Sequence, residues 1–470
     1  LTIDGVGEWA TASICYGEGH SIKILRELHF PHSLGLLYSA FTYYLGFKVN
    51  SGEYKLMGLA PYGNPEAEQT QHFITVIKSK LVDIKSDGSI RLNQKYFDYA
   101  VGLRMAKDQA WEKLLQVSKR DPESAIEPVH CNLAYAIQAV CEEIVLRMAK
   151  TAKALTDAKY LCLAGGVALN CVANGKIQQE GVFEELFIQP AAGDAGGALG
   201  AALAAYHLYY KRERVIQEEQ DTMHGAYLGP AYSDLDIERC ARQFDAVYQH
   251  YDSIAELCEL TALLLDEGQV IGWFQERMEY GPRALGNRSI IGDPRSPEMQ
   301  KKLNLKIKFR ESFRPFAPAI LEEVVGEYFE LTGSSPYMLL VQPVRQEWRQ
   351  SRKDDRGSLP RSNGISEQLN TIRSSFPAIT HVDYSARIQT VSKDNNFRFW
   401  SLISAFQKRT NCPMLINTSF NVRGEPIVNS PKEAYCCFME TGMDYLVLGN
   451  YLFDKKVQPK WQPKTSFEKD

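Results

Sequence analysis

The chain has 470 residues, of which 44% are hydrophobic and 23% charged, and its formal net charge is −4. At roughly 100–200 residues per domain this length predicts two or three domains, and the composition excludes a disordered chain and a general nucleic-acid binder, which would carry a basic stripe across a whole domain. No run approaches the ~18–20 apolar residues of a bilayer span, and the opening "LTIDGVGEWATASI" lacks a basic leader with a cleavage site, so a cytosolic protein with no membrane partner is expected.

In chain order, residues 1–20 read as a strand, a glycine turn and a second strand closed by the turn "GEGH". The segment 30–47, "FPHSLGLLYSAFTYYLGF", predicts a helix beginning after a Ser33 N-cap, and "EYKLMGLAPYGNPE" follows as a Gly/Pro-rich loop. Residues 128–155 predict a long amphipathic helix. Residues 160–177, "YLCLAGGVALNCVANGKI", and 186–210, "LFIQPAAGDAGGALGAALAAYHLYY", each read as a buried strand, a glycine turn and a helix. Two such units in succession predict α/β architecture with ligand at the C-terminal strand ends.

The polar stretch 211–234 is the predicted domain boundary, placing a first domain over 1–225 and a second over 235–460. In the second, "LDIERCARQF" and "SIAELCELTALLLDEG" predict helices and "QVIGWFQERMEYG" a strand. The Ser-rich charged insert 346–368 predicts a mobile surface loop. "AITHVDYSARIQTV", a helix over 399–409, "CPMLINTSFNVRGEPIV", a helix over 431–440 and "YLVLGNYLFDK" complete the core, and no tandem repeat is evident. The ten cysteines are scattered in apolar settings without a CxxC, which predicts reduced core thiols. The chain starts at Leu1 inside a predicted strand, so a further N-terminal segment is expected.

Three glycine turns follow apolar strands. "DGVGEW" sets Asp4 at a strand end, with Gly5 and Gly7 permitting close backbone approach to a phosphate. Gly165 and Gly166 of "AGGVALN" let backbone amides reach phosphates at a helix N-terminus. Asp194 of "AAGDAGGALG" reads equally as a helix N-cap or as a carboxylate that meets Asp4 at a metal. The "HFPH" segment, with His29 and His32, is broken by proline, so its rings need not share a face and a metal role is not favoured. His20 and His130 read as solvent or core residues.

From Arg283 to Arg314 there are nine Lys or Arg against three Asp or Glu, a local net of +6 in an acidic chain. Convergent cations of this kind suit a phosphate ligand: Arg283, Arg288, Lys308, Arg310 and Arg314 are the candidates, with Lys308 and Arg310 on one face if "KIKFR" is extended. "INTSFNVRGEP" adds Asn417, Ser419, Asn421 and Arg423, and "HVDYSARIQTV" adds His381, Asp383 and Arg387 as orienting groups.

Taken together, "DGVGEWAT", "EYKLMGLAPYG", "AGGVALN", "GDAGGALGAA", "EYGPRALGNRSI", "KFRESFRPFAP" and "NTSFNVRGEPI" resemble, in order from Leu1 to about Lys455, the carbamoyltransferases of the nodulation and antibiotic-tailoring type. The resemblance implies an α/β protein that joins an actin-like ATPase-fold domain, related to the tRNA threonylcarbamoyladenosine transferase, to a domain with the threonylcarbamoyl-AMP synthase (YrdC-like) fold. It implies carbamoyl phosphate, ATP with Mg²⁺ and a hydroxylated small-molecule acceptor as partners, and no nucleic acid. Carbamoyl adenylate would form in the second domain. Its carbamoyl group would pass to the acceptor in the first, assisted by Fe²⁺ or another divalent metal, with water excluded from the reactive anhydride.

The resemblance also implies residue roles. Asp4 and Asp194 match metal-binding aspartates; Gly165, Gly166 and Asn170 fall on a nucleotide-contacting turn; Lys308 and Arg310 match a Lys-x-Arg pair, and Ser419 and Asn421 a Ser-x-Asn pair. Arg283, Arg288, Arg314 and Arg423 would neutralise phosphates, with Arg283, Arg288, Lys308 and Arg310 nearest the chemistry and Asn417 among the nucleotide contacts. Two departures stand out. The family's metal site also uses a His-x-x-x-His segment preceding the "DGVGEW" turn, and Tyr384 and Ser385 stand where the family commonly reads Gly-Thr. The alternative readings are a turnover-deficient nucleotide-binding scaffold of the same fold and, less favoured, a tRNA-modifying threonylcarbamoyl transferase.

Overall fold

The structure, a computed structural model, describes residues 1–215, 221–308, 313–350, 368–369 and 371–462. The chain folds as two compact units that divide between Glu218 and Glu219, the second continuing through Asp355 and resuming at Thr371. Among the described residues no helix is long and apolar enough to cross a membrane.

In the first unit, β1 (Thr2–Ile3), β2 (Ala10–Glu18) and β3 (Ser21–His29) form an antiparallel sheet. The sequence reading foresaw the first two strands and missed β3, whose mostly exposed side chains give no buried alternation to read. Later in the chain β6 (Tyr160–Leu163) and β7 (Glu185–Ile188) pair in parallel, after the small hairpin β4 (Val82–Ile84) and β5 (Ile90–Leu92). A parallel bridge between Thr2 and Ala164 joins the two sheets, so the strands run in the order β3-β2-β1-β6-β7. The chain therefore leaves β1, β6 and β7 at the same edge, where the three glycine turns lie.

Helices cover the apolar face of this sheet. Helix α1 (Leu34–Tyr44) starts as expected, with Ser33 Oγ accepting from the Leu36 N–H at 3.0 Å. The long predicted helix spans Pro128–Thr156, with Pro128 in its first turn and a reciprocal cap in which the Glu127 N–H donates to His130 Nδ1 at 2.9 Å. His130 is thus a capping group. Trp111 is fully buried against Phe41 and Tyr44, with ring centroids 4.6 and 5.1 Å away, and anchors the distal core.

The second unit is built on a nine-stranded mixed sheet among the described residues. Its strands are β8 (Gln249–His250), β9 (Ile271–Phe274), β10 (Arg288–Gly292), β11 (Ala317–Leu321), β12 (Leu340–Pro343), β13 (Ser385–Val391), β14 (Met414–Ser419), β15 (Tyr445–Leu448) and β16 (Tyr451–Asp454). They run in the order β12-β13-β11-β14-β10-β9-β15-β16-β8. The central strands β9, β10 and β11 are buried along their whole length; only β9 reads as a strand from the sequence, because β10 opens on Arg288 and Ser289 and so lacks an apolar run. Helices Ile254–Asp266 and Phe397–Thr410 pack together, capped by Ser253 and Asn396.

Two expectations are corrected here. "KIKFR" is not an extended segment up to Lys308, because Asn304–Lys308 continues the preceding helix Met299–Leu303 as a wide helical turn; Arg310 lies outside the described residues. Most of the 346–368 insert also lies outside them, while Trp348 within it stacks on Tyr328 with centroids 4.8 Å apart. Seven of the ten cysteines are buried, as expected of core thiols, but Cys162 is exposed.

Tyr384, which replaces the family's glycine, sits at φ +64°, in the left-handed region that favours glycine. The backbone there keeps a glycine conformation despite the side chain, whose ring lies 5.4 Å from the Arg349 guanidinium. Tyr384→Gly is therefore expected to unfold at higher urea than Tyr384→Ala, by about 1 kcal/mol, since neither variant retains the ring and only alanine carries the left-handed penalty. Equal midpoints would show that the turn relaxes.

Candidate active sites

In the first unit the three turns close on one another through hydrogen bonds. The Asp4 N–H donates to Thr11 O at 2.8 Å, and Ser33 Oγ donates to Asp4 O at 2.9 Å, which fixes the strand end. Asp4 Oδ1 accepts from the Gly5 N–H at 2.7 Å and the Gly166 N–H at 3.1 Å. Gly165 has φ +90°, and a Cβ there would lie 2.3 Å from Ile3 O. Its N–H donates to Ala192 O at 2.8 Å, two residues before Asp194.

The glycines thus serve a different purpose from the one expected. Gly165 allows β6 to approach β1, and the Gly166 N–H holds a carboxylate, so neither amide is aimed at a phosphate. Asp194 is exposed at the start of helix Ala195–Ala204 and its side chain makes no capping bond, which removes the N-cap alternative. Asn170, expected to contact nucleotide, is buried and engaged. Its Oδ1 accepts from the Ala173 N–H and from Gln138 Nε2, and its Nδ2 donates to Gln138 Oε1, each at 3.1 Å. It caps helix Cys171–Gln179 and belongs to a buried polar chain through Gln138 to Tyr38 and Glu142. Burial pushes the Tyr38 hydroxyl well above its ordinary pKa, so it remains a neutral donor. His32 accepts the Leu92 N–H on Nδ1 at 3.1 Å, and burial together with Arg91 lowers its pKa.

Asp4 follows β1, and Asp194 lies six residues beyond the end of β7, two strands that β6 separates. Among the described residues, however, no group of three or more His, Cys, Asp or Glu is placed to hold a metal ion. The residues described here do not by themselves complete a metal site.

In the second unit, the site expected from the basic run forms at the end of β14. Lys308, buried at 3% exposure, donates from Nζ to Ser419 O, to Ser419 Oγ at 3.3 Å, and to Asn421 O and Oδ1 at 3.0 and 2.8 Å. Ser419 Oγ in turn donates to Asn421 Oδ1 at 2.7 Å. The Lys and the Ser-x-Asn pair are 111 and 113 residues apart in sequence and share one cluster.

Beside it, Asn417 Nδ2 donates to Ala284 O at 3.1 Å and Gln389 Oε1 at 2.6 Å, while Gln389 Nε2 donates to Leu285 O at 2.7 Å. Asn417 therefore braces the turn that carries half-buried Arg283, in place of the direct nucleotide contact expected of it.

The match of residues 1–203 to the carbamoyltransferase N-terminus and of residues 262–455 to the carbamoyltransferase C-terminus covers both units. A nodulation protein NolO from Bradyrhizobium diazoefficiens is 36% identical over 97% of the chain, which spans 75% of that relative. The chain belongs to the carbamoyltransferase family. An uncharacterized protein from Synechocystis is 53% identical over the whole chain and 75% of its own length. The nodulation protein NolNO from Sinorhizobium fredii is 37% identical over 97% of the chain, which spans only 61% of that relative.

Within this carbamoyltransferase framework Arg288 needs a corrected role. Its side chain is fully buried and its guanidinium donates to the carbonyls of Gln275, Asn287 (2.9 Å), Glu276 (3.2 Å) and Pro230 (3.2 Å), over the Phe274 ring at 3.6 Å. Burial lowers its pKa to about 10, against the opposing pull of Glu279. A guanidinium so engaged clamps main chain and does not meet a phosphate. Arg314 and Arg423 are half-buried, and Arg314 O accepts from Asn304 Nδ2 at 3.2 Å, beside the Lys308 turn. His381 is buried with Nδ1 3.8 Å from Asp383 Oδ1, and Asp383 Oδ1 also accepts from Ser385 Oγ at 2.6 Å.

Residues that the sequence reading passed over are Glu279, Gln389, Asn396 and Tyr227. Tyr227 OH donates to Leu285 O at 2.8 Å, and Asn396 Nδ2 donates to Asn287 Oδ1 at 3.0 Å. The one signal for Glu279 was a carboxylate opening a basic, glycine-rich turn. The others lie 58 to 109 residues from their partners and leave no local pattern. Arg288→Met is expected to lower unfolding stability by roughly 2–4 kcal/mol in urea titration, since four carbonyls, two of them in buried bonds, lose their donor. A phosphate-contacting arginine would instead leave stability unchanged and weaken ATP binding.

Proposed function

We propose that this chain is an ATP-dependent O-carbamoyltransferase working in two steps, the first in the second unit and the second in the first. The observation that carries this reading is the cluster of Lys308 with Ser419 and Asn421 at the end of β14, adjoining the Arg283 turn. It sets the buried Lys308 ammonium against Ser419 and Asn421, with half-buried Arg283 on the adjoining turn. Two fixed cations suit the α-phosphate and the departing pyrophosphate of ATP, where charge accumulates in the transition state.

Atom balance defines the first step. Water cleaves carbamoyl phosphate to carbamate and phosphate, and a carbamate oxygen attacks the α-phosphorus of ATP, displacing pyrophosphate and leaving carbamoyl adenylate. In the second step an acceptor hydroxyl attacks the carbamoyl carbon, a C–O bond to AMP breaks, and AMP and a proton leave. Lys308 would neutralise the phosphate oxygens, Arg283 the pyrophosphate, and Arg314 and Arg423 would complete the positive rim; Arg310, outside the described residues, stands only as the second member of the Lys-x-Arg pair. Mg²⁺ would accompany ATP.

The strand order β3-β2-β1-β6-β7, with Asp4, Gly165 and Asp194 at one edge, supports the actin-like ATPase reading of the first unit, and the mixed sheet with a Lys and a Ser-x-Asn cluster supports the YrdC-like reading of the second. Asp4 and Asp194 are the two carboxylates this reading offers to a divalent cation such as Fe²⁺, which would polarise the carbamoyl carbonyl. A hydroxylated small molecule or sugar is the acceptor class this reading assigns.

Pyrophosphate release from ATP and carbamoyl phosphate with Mg²⁺ tests the first step. Lys308→Ala is expected to reduce it by ~10²–10³-fold at temperatures well below the variant's own melting transition, which falls because Ser419 and Asn421 lose a donor. Absence of carbamoyl-phosphate-dependent release from the wild-type chain would favour the turnover-deficient nucleotide-binding scaffold instead.

A further inference from the structure

The turn between Glu279 and Arg288 is irregular backbone with two glycines at positive φ, Gly281 at +132° and Gly286 at +110°. A Cβ on Gly286 would lie 2.3 Å from a ring carbon of Phe399. Irregular buried backbone persists only where its polar groups are satisfied by something other than a ladder. Here Glu279 does this from inside. Its carboxylate is buried, and Oε1 accepts from the N–H groups of Leu285 (2.7 Å), Asn287 (2.8 Å) and Arg288 (3.2 Å). From outside, Asn417 holds Ala284 O, and both Gln389 and Tyr227 hold Leu285 O.

These ties fall on the residues immediately after Arg283 and leave the arginine at the crest. Three N–H groups on one carboxylate oxygen form the tightest part of this brace, since hydrogen bonds to a charged acceptor are about twice as strong as neutral ones. Burial raises the Glu279 pKa while the Asn287 and Leu285 amides and Arg288 oppose that rise.

We propose that Glu279 is a positioning residue for the adenylate-forming site: it holds the 281–288 turn in the shape that presents Arg283 to the phosphates of ATP and acts on the ligand only through Arg283. This rests on the assignment of the ATP site to the second unit, and it concerns a residue that touches neither ATP nor carbamoyl phosphate. Its role is preorganisation: a turn fixed in advance removes the ordering cost that a mobile arginine would add to binding.

The test is a double-mutant cycle on ATP affinity, measured by titration calorimetry on the full chain with Mg²⁺, which needs no turnover. Arg283→Ala and Glu279→Ala are each expected to weaken ATP binding by ~10-fold or more, and the double variant no further than Arg283→Ala alone. Glu279→Gln, which keeps one oxygen for the three amides, is expected to recover most of the affinity of Glu279→Ala. Melting temperatures of all variants separate misfolding from loss of positioning, and a Glu279→Ala that fails to fold is replaced in the same cycle by Glu279→Asp, whose carboxylate is one methylene too short to reach all three amides. Losses that multiply in the double variant would overturn the proposal, as would an Arg283→Ala variant that binds ATP normally, because nothing would then be left for Glu279 to position. ATP binding that obeys the cycle without carbamoyl-phosphate-dependent pyrophosphate release would uphold this inference and refute the proposed adenylate step.

Discussion

A carboxylate removed from water must be surrounded by donors, and in both units of this protein those donors are the amides of a glycine-bearing turn at the edge of a sheet. Asp4 gathers the N–H groups of Gly5 and Gly166, and Glu279 gathers those of Leu285, Asn287 and Arg288. The exchange is mutual. Loop amides that no ladder satisfies find an acceptor, and the acceptor finds donors. Everything the candidate sites do depends on these turns holding one shape, because loops with satisfied backbone groups behave as rigid parts of the scaffold.

The second unit extends the same logic to cations. Arg288 and Lys308 are both buried and both donate to protein oxygens, yet they differ in what those oxygens belong to. Around Arg288 they are four main-chain carbonyls of neighbouring loops, which makes it a clamp. Around Lys308 they include the side chains of Ser419 and Asn421, which can turn toward a ligand, so the ammonium is held without being committed to backbone alone. Composition counts both residues equally as positive charge. Geometry separates structural charge from charge that a phosphate can meet.

Much of this was legible in the chain. Strand, glycine and helix punctuation located the turns carrying Asp4, Gly165 and Asp194, and the Ser33 cap set the first helix. The basic run together with "NTSFN" singled out Lys308, Ser419 and Asn421. What escaped had no local signature. Strand β3 is exposed on most positions, so hydrophobic alternation is absent. Gln389, Asn396 and Tyr227 reach the Arg283 turn from distant segments, and Asn170 and Asn417 turned out to brace structure because their partners, Gln138 and Gln389, lie far along the chain.

Sequence by itself determined the residue types available at each turn and the family to which they point, since glycine, carboxylate and basic residues at fixed spacing are constrained by local backbone chemistry. Only the tertiary structure decided which of them face a ligand and which face the protein. That choice is made by how the fold closes, as when Lys308 meets Ser419 and Asn421 from 111 and 113 residues away, or when loops bring four carbonyls around the Arg288 guanidinium. A hydrogen bond is satisfied by whatever lies within about 3 Å of it, and that proximity is set by the fold and not by the order of the chain.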